Sequence, residues 1–115
     1  MKRLRKSMIG VDQGEDLIFS DFEEGGDMWT GDGPRERRLA ITFSENFRTP
    51  PVVHCALSLW DVGQGANLRA DVTAEEITPT GFDLVFRTWG DTKIARARAR
   101  WMAIGELSDE DEWDV

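Results

Sequence analysis

The chain has 115 residues, enough for one domain and too few for two independent cores. It carries 14 Lys and Arg against 22 Asp and Glu, a net charge of −8, which argues against nucleic acid and anionic membrane surfaces as partners. One cysteine and one histidine exclude an internal disulfide, a multi-cysteine metal site and nearly all histidine-based chemistry. No apolar run follows the basic residues 1–6 and none approaches the ~20 residues of a membrane span, so we expect cytoplasmic synthesis without a signal peptide and no membrane insertion.

The negative charge is concentrated at the carboxyl end. Six of the last ten residues are acidic: Glu106, Asp109, Glu110, Asp111, Glu112 and Asp114. Removing them leaves sixteen acids against fourteen bases, so the rest of the chain is close to neutral. We therefore expect one domain over residues 1–105 and an acidic tail over residues 106–115.

Alternation of apolar and polar residues predicts strands along most of the chain. The expected strands, in order, cover residues 8–19, 38–43, 52–60, 67–77, 82–86 and 94–104. A glycine-rich stretch at residues 25–34 is expected to be an irregular loop, and residues 78–81 a tight turn in which Pro79 fixes φ and Gly81 tolerates a positive φ. About six regularly spaced strands predict an all-β fold, a six-stranded antiparallel β-sandwich.

The same alternation predicts which side chains point inward. In the third strand Val53, Cys55, Leu57 and Leu59 share the inner face, and in the fourth strand Leu68 is expected to point inward as well. His54 lies on the opposite face from Cys55, so the two cannot form a nucleophile–base pair.

The residue types and their spacing do not indicate a catalytic site or a metal site. The acids are too numerous for one pair to stand out as a glycosidase dyad, and the run at residues 109–112 lacks the spaced ligands of a calcium loop. We therefore expect no enzyme, no catalytic residue, no metal and no cofactor.

Recognition of a neutral sugar is better supported. It needs a carboxylate that accepts from hydroxyl groups, a cation with several donors, and an aromatic face against C–H groups. Asp32 in the glycine-rich loop, Arg69 near the start of the fourth strand, and Trp89 after the fifth strand supply these three types.

Six short motifs follow one another in order along the chain. They are FRTPPVV at residues 47–53, WDV at 60–62, NLR at 67–69, TPTGF at 78–82, TWGDTK at 88–93 and WMAIG at 101–105. Together they resemble the H-type lectin domain, the fold of snail agglutinins and of the C-terminal domain of slime-mould discoidins. The resemblance implies a six-stranded sandwich that forms trimers or hexamers. It also implies metal-free sugar sites between subunits, selective for galactose-like or N-acetylgalactosamine rings.

The resemblance assigns roles to individual residues. It places the family's aspartate at Asp32 and its hydroxyl-binding arginine at Arg69. The tryptophan that lies beside the N-acetyl group corresponds to Trp89, which the adjacent subunit is expected to contribute. Snail agglutinins have histidine and tyrosine where this chain has Gly90 and Ala95, which implies a shallower acetamide pocket around Gly90. The cysteines that join snail subunits are absent, consistent with synthesis in a reducing compartment.

A row of cations, Arg96, Arg98 and Arg100 with Lys93, has three open interpretations. It could pair across strands with acids such as Asp71, Glu75 or Asp83, hold the acidic tail, or bind anionic glycans. Three arginines on one face repel one another unless a partner neutralises them.

These observations predict a non-catalytic, oligomeric lectin that binds cell-surface glycans multivalently. The alternative is a structural oligomeric tip or adaptor of a phage-like tail fibre or attachment appendage, because a protein without a signal peptide meets outside glycans only after release or as part of a particle. The expected partners are therefore a glycan and further copies of the chain, as a trimer or hexamer.

Overall fold

A computed structural model describes residues 1–5 and 8–108. Its elements, in chain order, are β1 (Ile9–Ser20), α1 (Asp27–Thr30), β2 (Arg35–Thr42), β3 (Val52–Val62), β4 (Asp71–Glu75), β5 (Gly81–Thr88) and β6 (Ile94–Glu106). The strands form two three-stranded antiparallel sheets, a first sheet in the order β1-β6-β3 and a second sheet in the order β2-β5-β4. The predicted all-β fold, a six-stranded antiparallel sandwich, is confirmed.

The core lies between the two sheets. In the central strand of the first sheet, Ala97 and Ala99 are fully buried, and their small side chains leave room for aromatic rings from the second sheet. Phe82 meets the Trp101 ring at 5.4 Å between centroids, and Phe86 meets Phe19 at 5.2 Å. Edge-to-face packing of this kind adds to the free energy gained by burying apolar area.

A bulge in β3 corrects the predicted inner face of that strand. Cys55 pairs with Trp101 and Leu57 with Ala99, so both face the core as expected. The register then shifts, and Leu59 pairs with Arg98 on the outer face. The prediction that Leu59 points inward was wrong, because one extra residue in a strand reverses the faces of those that follow.

Two further elements differ from expectation. β4 begins only at Asp71, residues 67–70 are irregular, and Leu68 is exposed rather than inward. The glycine-rich stretch also contains the four-residue helix α1, whose Met28 is fully buried in the core. Local alternation misses both features, since each depends on what the neighbouring sheet leaves room for.

The turn between β4 and β5 forms where it was predicted, for a different reason. The backbone N–H and the hydroxyl of Thr78 both donate to the Gly81 carbonyl, and the Gly81 N–H donates to the Thr78 hydroxyl. Gly81 does not adopt a positive φ. Instead, a Cβ on Gly81 would lie 2.1 Å from the carbonyl oxygen of Ile41, so the position requires glycine for space.

The described carboxyl end stays attached to the sandwich. β6 ends at Glu106, whose carboxylate accepts from the backbone N–H of Arg5 at 3.0 Å, and Leu107 bridges to Phe47. The remaining acids of the predicted tail, at residues 109–114, lie outside the described residues.

Candidate functional site

Asp32 lies in the loop between α1 and β2, with its carboxylate exposed. Its Oδ1 atom accepts from the Lys93 ammonium at 2.7 Å, and the same ammonium also donates to the carbonyl of Gly31. The hydrogen bond from Lys93, followed by its charge, lowers the pKa of Asp32. The carboxylate is therefore ionised and available as a hydrogen-bond acceptor at neutral pH.

Arg69 is held by two buried threonines that flank the turn between β5 and β6. Its backbone N–H donates to the hydroxyl of Thr92 at 3.1 Å, and its carbonyl accepts from the hydroxyl of Thr88. Its guanidinium meets the Asp91 carboxylate at 2.9 Å and stays partly exposed. The TWGDTK motif contains all three of these partners, Thr88, Asp91 and Thr92. The motif therefore holds Arg69 in position.

Gly90 connects the loop of Asp32 to Arg69. Its φ of 69° lies in the left-handed region that favours glycine. A Cβ at this position would lie 3.0 Å from the Nη1 atom of Arg69, while the Gly90 carbonyl accepts from the backbone N–H of Gly33 at 2.8 Å. The loops that carry Asp32, Arg69 and Gly90 thus meet at one end of the sandwich.

Arg35 organises this end of the molecule, although sequence reasoning did not select it. The side chain is 8 % exposed. Its guanidinium donates only to backbone carbonyls among the described residues, those of Gly33 at 2.9 Å, Met28 at 3.2 Å, and Asp27 and Gly90 at 3.3 Å. The signal in the sequence was its alternation with Leu39 and Ile41, which places an arginine on an inner face where it needs partners.

Trp89 does not join the other three residues within one protomer. The residue is 45 % exposed and lines a groove whose lining does not include Asp32, Arg69 or Gly90. We call this the Trp89 groove; besides the indole it is lined by Pro34, Arg35, Glu36, Asp71, Arg87 and Thr88.

The arginines of β6 pair across strands, as the first interpretation held, but not with the expected acids. The Arg96 guanidinium lies 3.1 Å from the Asp61 carboxylate. The Glu15 carboxylate forms ion pairs with Arg100 at 2.8 Å and with Arg98 at 3.4 Å. Hydrogen bonding by Arg100 is the largest cause of the lowered pKa of Glu15. The named candidates were wrong because Asp71, Glu75 and Asp83 lie in the second sheet.

Lys93, the fourth cation of the predicted row, pairs instead with Asp32 in the candidate site. It lies just before β6, outside the strand that carries the three arginines.

The single cysteine and histidine take the places that strand alternation predicted. Cys55 packs against the core, and burial raises the pKa of its thiol. His54 is exposed on the outer face of the first sheet, opposite Met102. Within residues 1–5 and 8–108 no cluster of three potential metal ligands occurs, and no helix there has the length and apolar character to cross a membrane.

The fold is thus a two-sheet antiparallel sandwich, with an exposed carboxylate and a partly exposed guanidinium on the loops at one end. The model of the H-type lectin domain family matches residues 38–104, more than half of the chain. The chain therefore belongs to the H-type lectin domain family.

Individual relatives agree with this assignment. The chain is 34 % identical to a discoidin-1 polypeptide of Dictyostelium discoideum over 88 residues, 69 % of this chain and 35 % of that protein. It superimposes on the structure of discoidin II from the same organism with a TM-score of 0.75 and 26 % identity, over 90 % of this chain and 39 % of that one. It is also 54 % identical, over all 115 residues and 99 % of the relative, to the protein called ATP synthase subunits region ORF 7 of Fuscovulum blasticum, a name that states no activity.

Proposed function

We propose that this protein is a non-catalytic carbohydrate-binding module that recognises galactose-like or N-acetylgalactosamine rings through Asp32 and Arg69. The observation that carries the proposal is the pair of contacts made by Gly90, which accepts from the Asp32 loop and lies against the Arg69 guanidinium. An ionised carboxylate accepts from two sugar hydroxyls while a guanidinium donates to a third oxygen. Membership of a lectin family supports the same ligand class.

Several copies are proposed to act together. Val11, Leu17, Val52 and Met102 lie on the outer face of the first sheet, 40–62 % exposed, and we call them the apolar face. Such a patch is typical of a surface that associates, and we propose that further copies of this chain cover it. In the assembly, Trp89 of one protomer completes the Asp32–Arg69 site of its neighbour, and linked sites raise the avidity for a glycan surface.

Calorimetry with galactose and N-acetylgalactosamine tests the sugar site. Asp32→Ala and Arg69→Ala each remove a charged hydrogen-bonding group and are expected to weaken binding at least about tenfold. Asp83→Ala is the matched control, because Asp83 is also ion-paired, to Arg38, but lies on the outer face of the second sheet. Unchanged binding by both site variants would show that the sugar lies elsewhere, and no binding by the natural protein would refute the module.

One observation favours the structural alternative, an oligomeric tip or adaptor of an attachment appendage. Both Asp32 and Arg69 are already ion-paired within the protomer, to Lys93 and to Asp91, so the end of the sandwich is stable without a ligand. An adaptor needs the apolar face but not sugar binding. Co-purification with particles by Asp32→Ala protein that binds no sugar would support the adaptor.

A further inference from the structure

The Trp89 groove is a concave surface separate from the Asp32–Arg69 pair. It has a volume of about 430 Å³ and lies where the end of β5 meets the beginnings of β2 and β4. Pockets that hold small ligands have volumes of about 300–1,000 Å³, so the groove has room for a sugar ring. The exposed indole of Trp89 offers its face to C–H groups.

Both cations of the groove are already engaged. Arg87 donates to Glu36 at 2.9 Å and to Glu75 at 2.6 Å. Arg35 is committed to the four backbone carbonyls that fix the loops of the candidate site. Neither guanidinium is left to neutralise a negatively charged ligand.

Asp71 supplies the acceptor. It is the first residue of β4, it is exposed, and its backbone is paired with that of Arg87. Within the part of the chain that the structure describes, its carboxylate makes no hydrogen bond and no ion pair. A carboxylate without a partner beside an exposed indole combines the acceptor and the apolar face that an uncharged sugar ring requires.

We propose that the Trp89 groove is a second sugar subsite, in which Asp71 accepts hydroxyl groups from an uncharged hexose ring. The Trp89 indole, which also borders the Asp32–Arg69 site of the neighbouring protomer, packs on the C–H face of this ring. This inference rests on the proposed function, since this ring is the one linked to the galactose-like ring held by Asp32 and Arg69 of the adjacent protomer. A uronate in the same place would meet the Asp71 and Glu36 carboxylates and be repelled. The groove therefore selects neutral glycans over acidic ones.

Three sugars separate the contributions of the two rings. Methyl galactoside occupies only the first site, which Asp32 and Arg69 form with Trp89 of the neighbour. Lactose adds an uncharged second ring, and a galactose–glucuronate disaccharide adds an acidic one. In calorimetry on the natural protein, lactose is expected to bind about fivefold to tenfold more tightly than methyl galactoside, because the second ring makes its own contacts. The glucuronate disaccharide is expected to show no such gain.

Asp71→Asn is the decisive variant. It keeps the size of the side chain but replaces a charged acceptor with a neutral amide oxygen, which accepts more weakly. The expected result is a clearly smaller gain for lactose with the dissociation constant of methyl galactoside unchanged. Asp83→Asn, on the outer face of the same sheet, is expected to leave both constants unchanged and controls for the general loss of one negative charge.

The outcomes distinguish failure of the subsite from failure of the proposed function. Equal binding of lactose and methyl galactoside, or an undiminished lactose gain in Asp71→Asn, would overturn the subsite and leave the first site standing. Preference for the glucuronate disaccharide would overturn the neutral-sugar assignment. Absence of binding of all three sugars would overturn the proposed function and the subsite together.

Discussion

The outer faces of the two sheets are built from different chemistry. On the first sheet, the apolar face exposes Val11, Leu17, Val52 and Met102, with the ion pairs of Glu15 beside them. On the second sheet, Arg38 meets Glu36, Glu75 and Asp83, and Arg87 meets Glu36 and Glu75. One architecture thus presents one side suited to association and one suited to water.

The charged network also covers apolar surface. Val85 points outward from the centre of the second sheet, between Arg38 and Thr73 in register, and is nevertheless fully buried. The long stems of the arginines cover it while their charged ends stay in contact with water and carboxylates. The second sheet therefore needs no partner molecule to shield its outer face, whereas the first sheet leaves its apolar side chains exposed.

The largest expected effect comes from placing a charge on the apolar face. Met102→Lys is expected to reduce the proposed assembly to single chains of 13.0 kDa, because a lysine in the proposed interface between protomers would have no partner for its charge. Size-exclusion chromatography with light scattering measures the mass. Ala40→Lys, on the outer face of the second sheet opposite Asp83, is the matched control and should leave the assembly intact. Equal masses for the two variants would refute the assignment of the interface.

The next effect compares two arginines of the second sheet, one buried and one exposed. Arg35→Met removes the charged hydrogen bonds to four carbonyls and is expected to lower the free energy of unfolding by about 2–4 kcal/mol. Arg38→Met, which breaks only exposed ion pairs, is expected to cost clearly less. Urea unfolding of both variants gives the comparison, and equal losses would contradict the organising role of Arg35.

The smallest effect concerns the pH dependence of the charged network. Hydrogen bonds from Arg87 and Thr73 lower the pKa of Glu75 to about 2 from an ordinary value of 4.5. Because the pKa is depressed in the folded state, the stabilisation by Glu75 is fully present above about pH 4.5 and is lost as the pH falls towards 2. Glu75→Gln should therefore show a smaller fall in Tm over this range than the natural protein. Glu24→Gln, which changes an exposed carboxylate in a turn, is the control and should show the same fall in Tm as the natural protein. An equally steep fall in Glu75→Gln would contradict the prediction.

Much of the fold was accessible from the sequence because half-buried strands alternate with a period of two. The inward faces of Cys55 and Leu57 in β3 were predicted correctly for this reason. The bulge that turns Leu59 outward was not accessible, since a bulge changes the register without changing the local pattern.

For the candidate site, the sequence predicted which types of residue are present but not which contacts they make. Carboxylate, guanidinium and indole were chosen because sugars require them, and motif resemblance placed them at Asp32, Arg69 and Trp89. Their actual partners, Lys93 for Asp32 and Asp91 for Arg69, had not been selected. Asp71 had been considered as an ion-pair partner for arginines and not as a residue of a sugar site.

The sequence alone determined the strand periodicity, the inner faces of most strands, and the family, because these depend on short segments read independently of one another. Only the tertiary structure decided that the Gly90 carbonyl joins Gly33 and Arg35, and that Lys93 reaches Asp32 from 61 residues away. It likewise decided that Trp89 and Asp71 line the same groove. Such contacts join loops from different strands, and their geometry exists only after the two sheets have packed together.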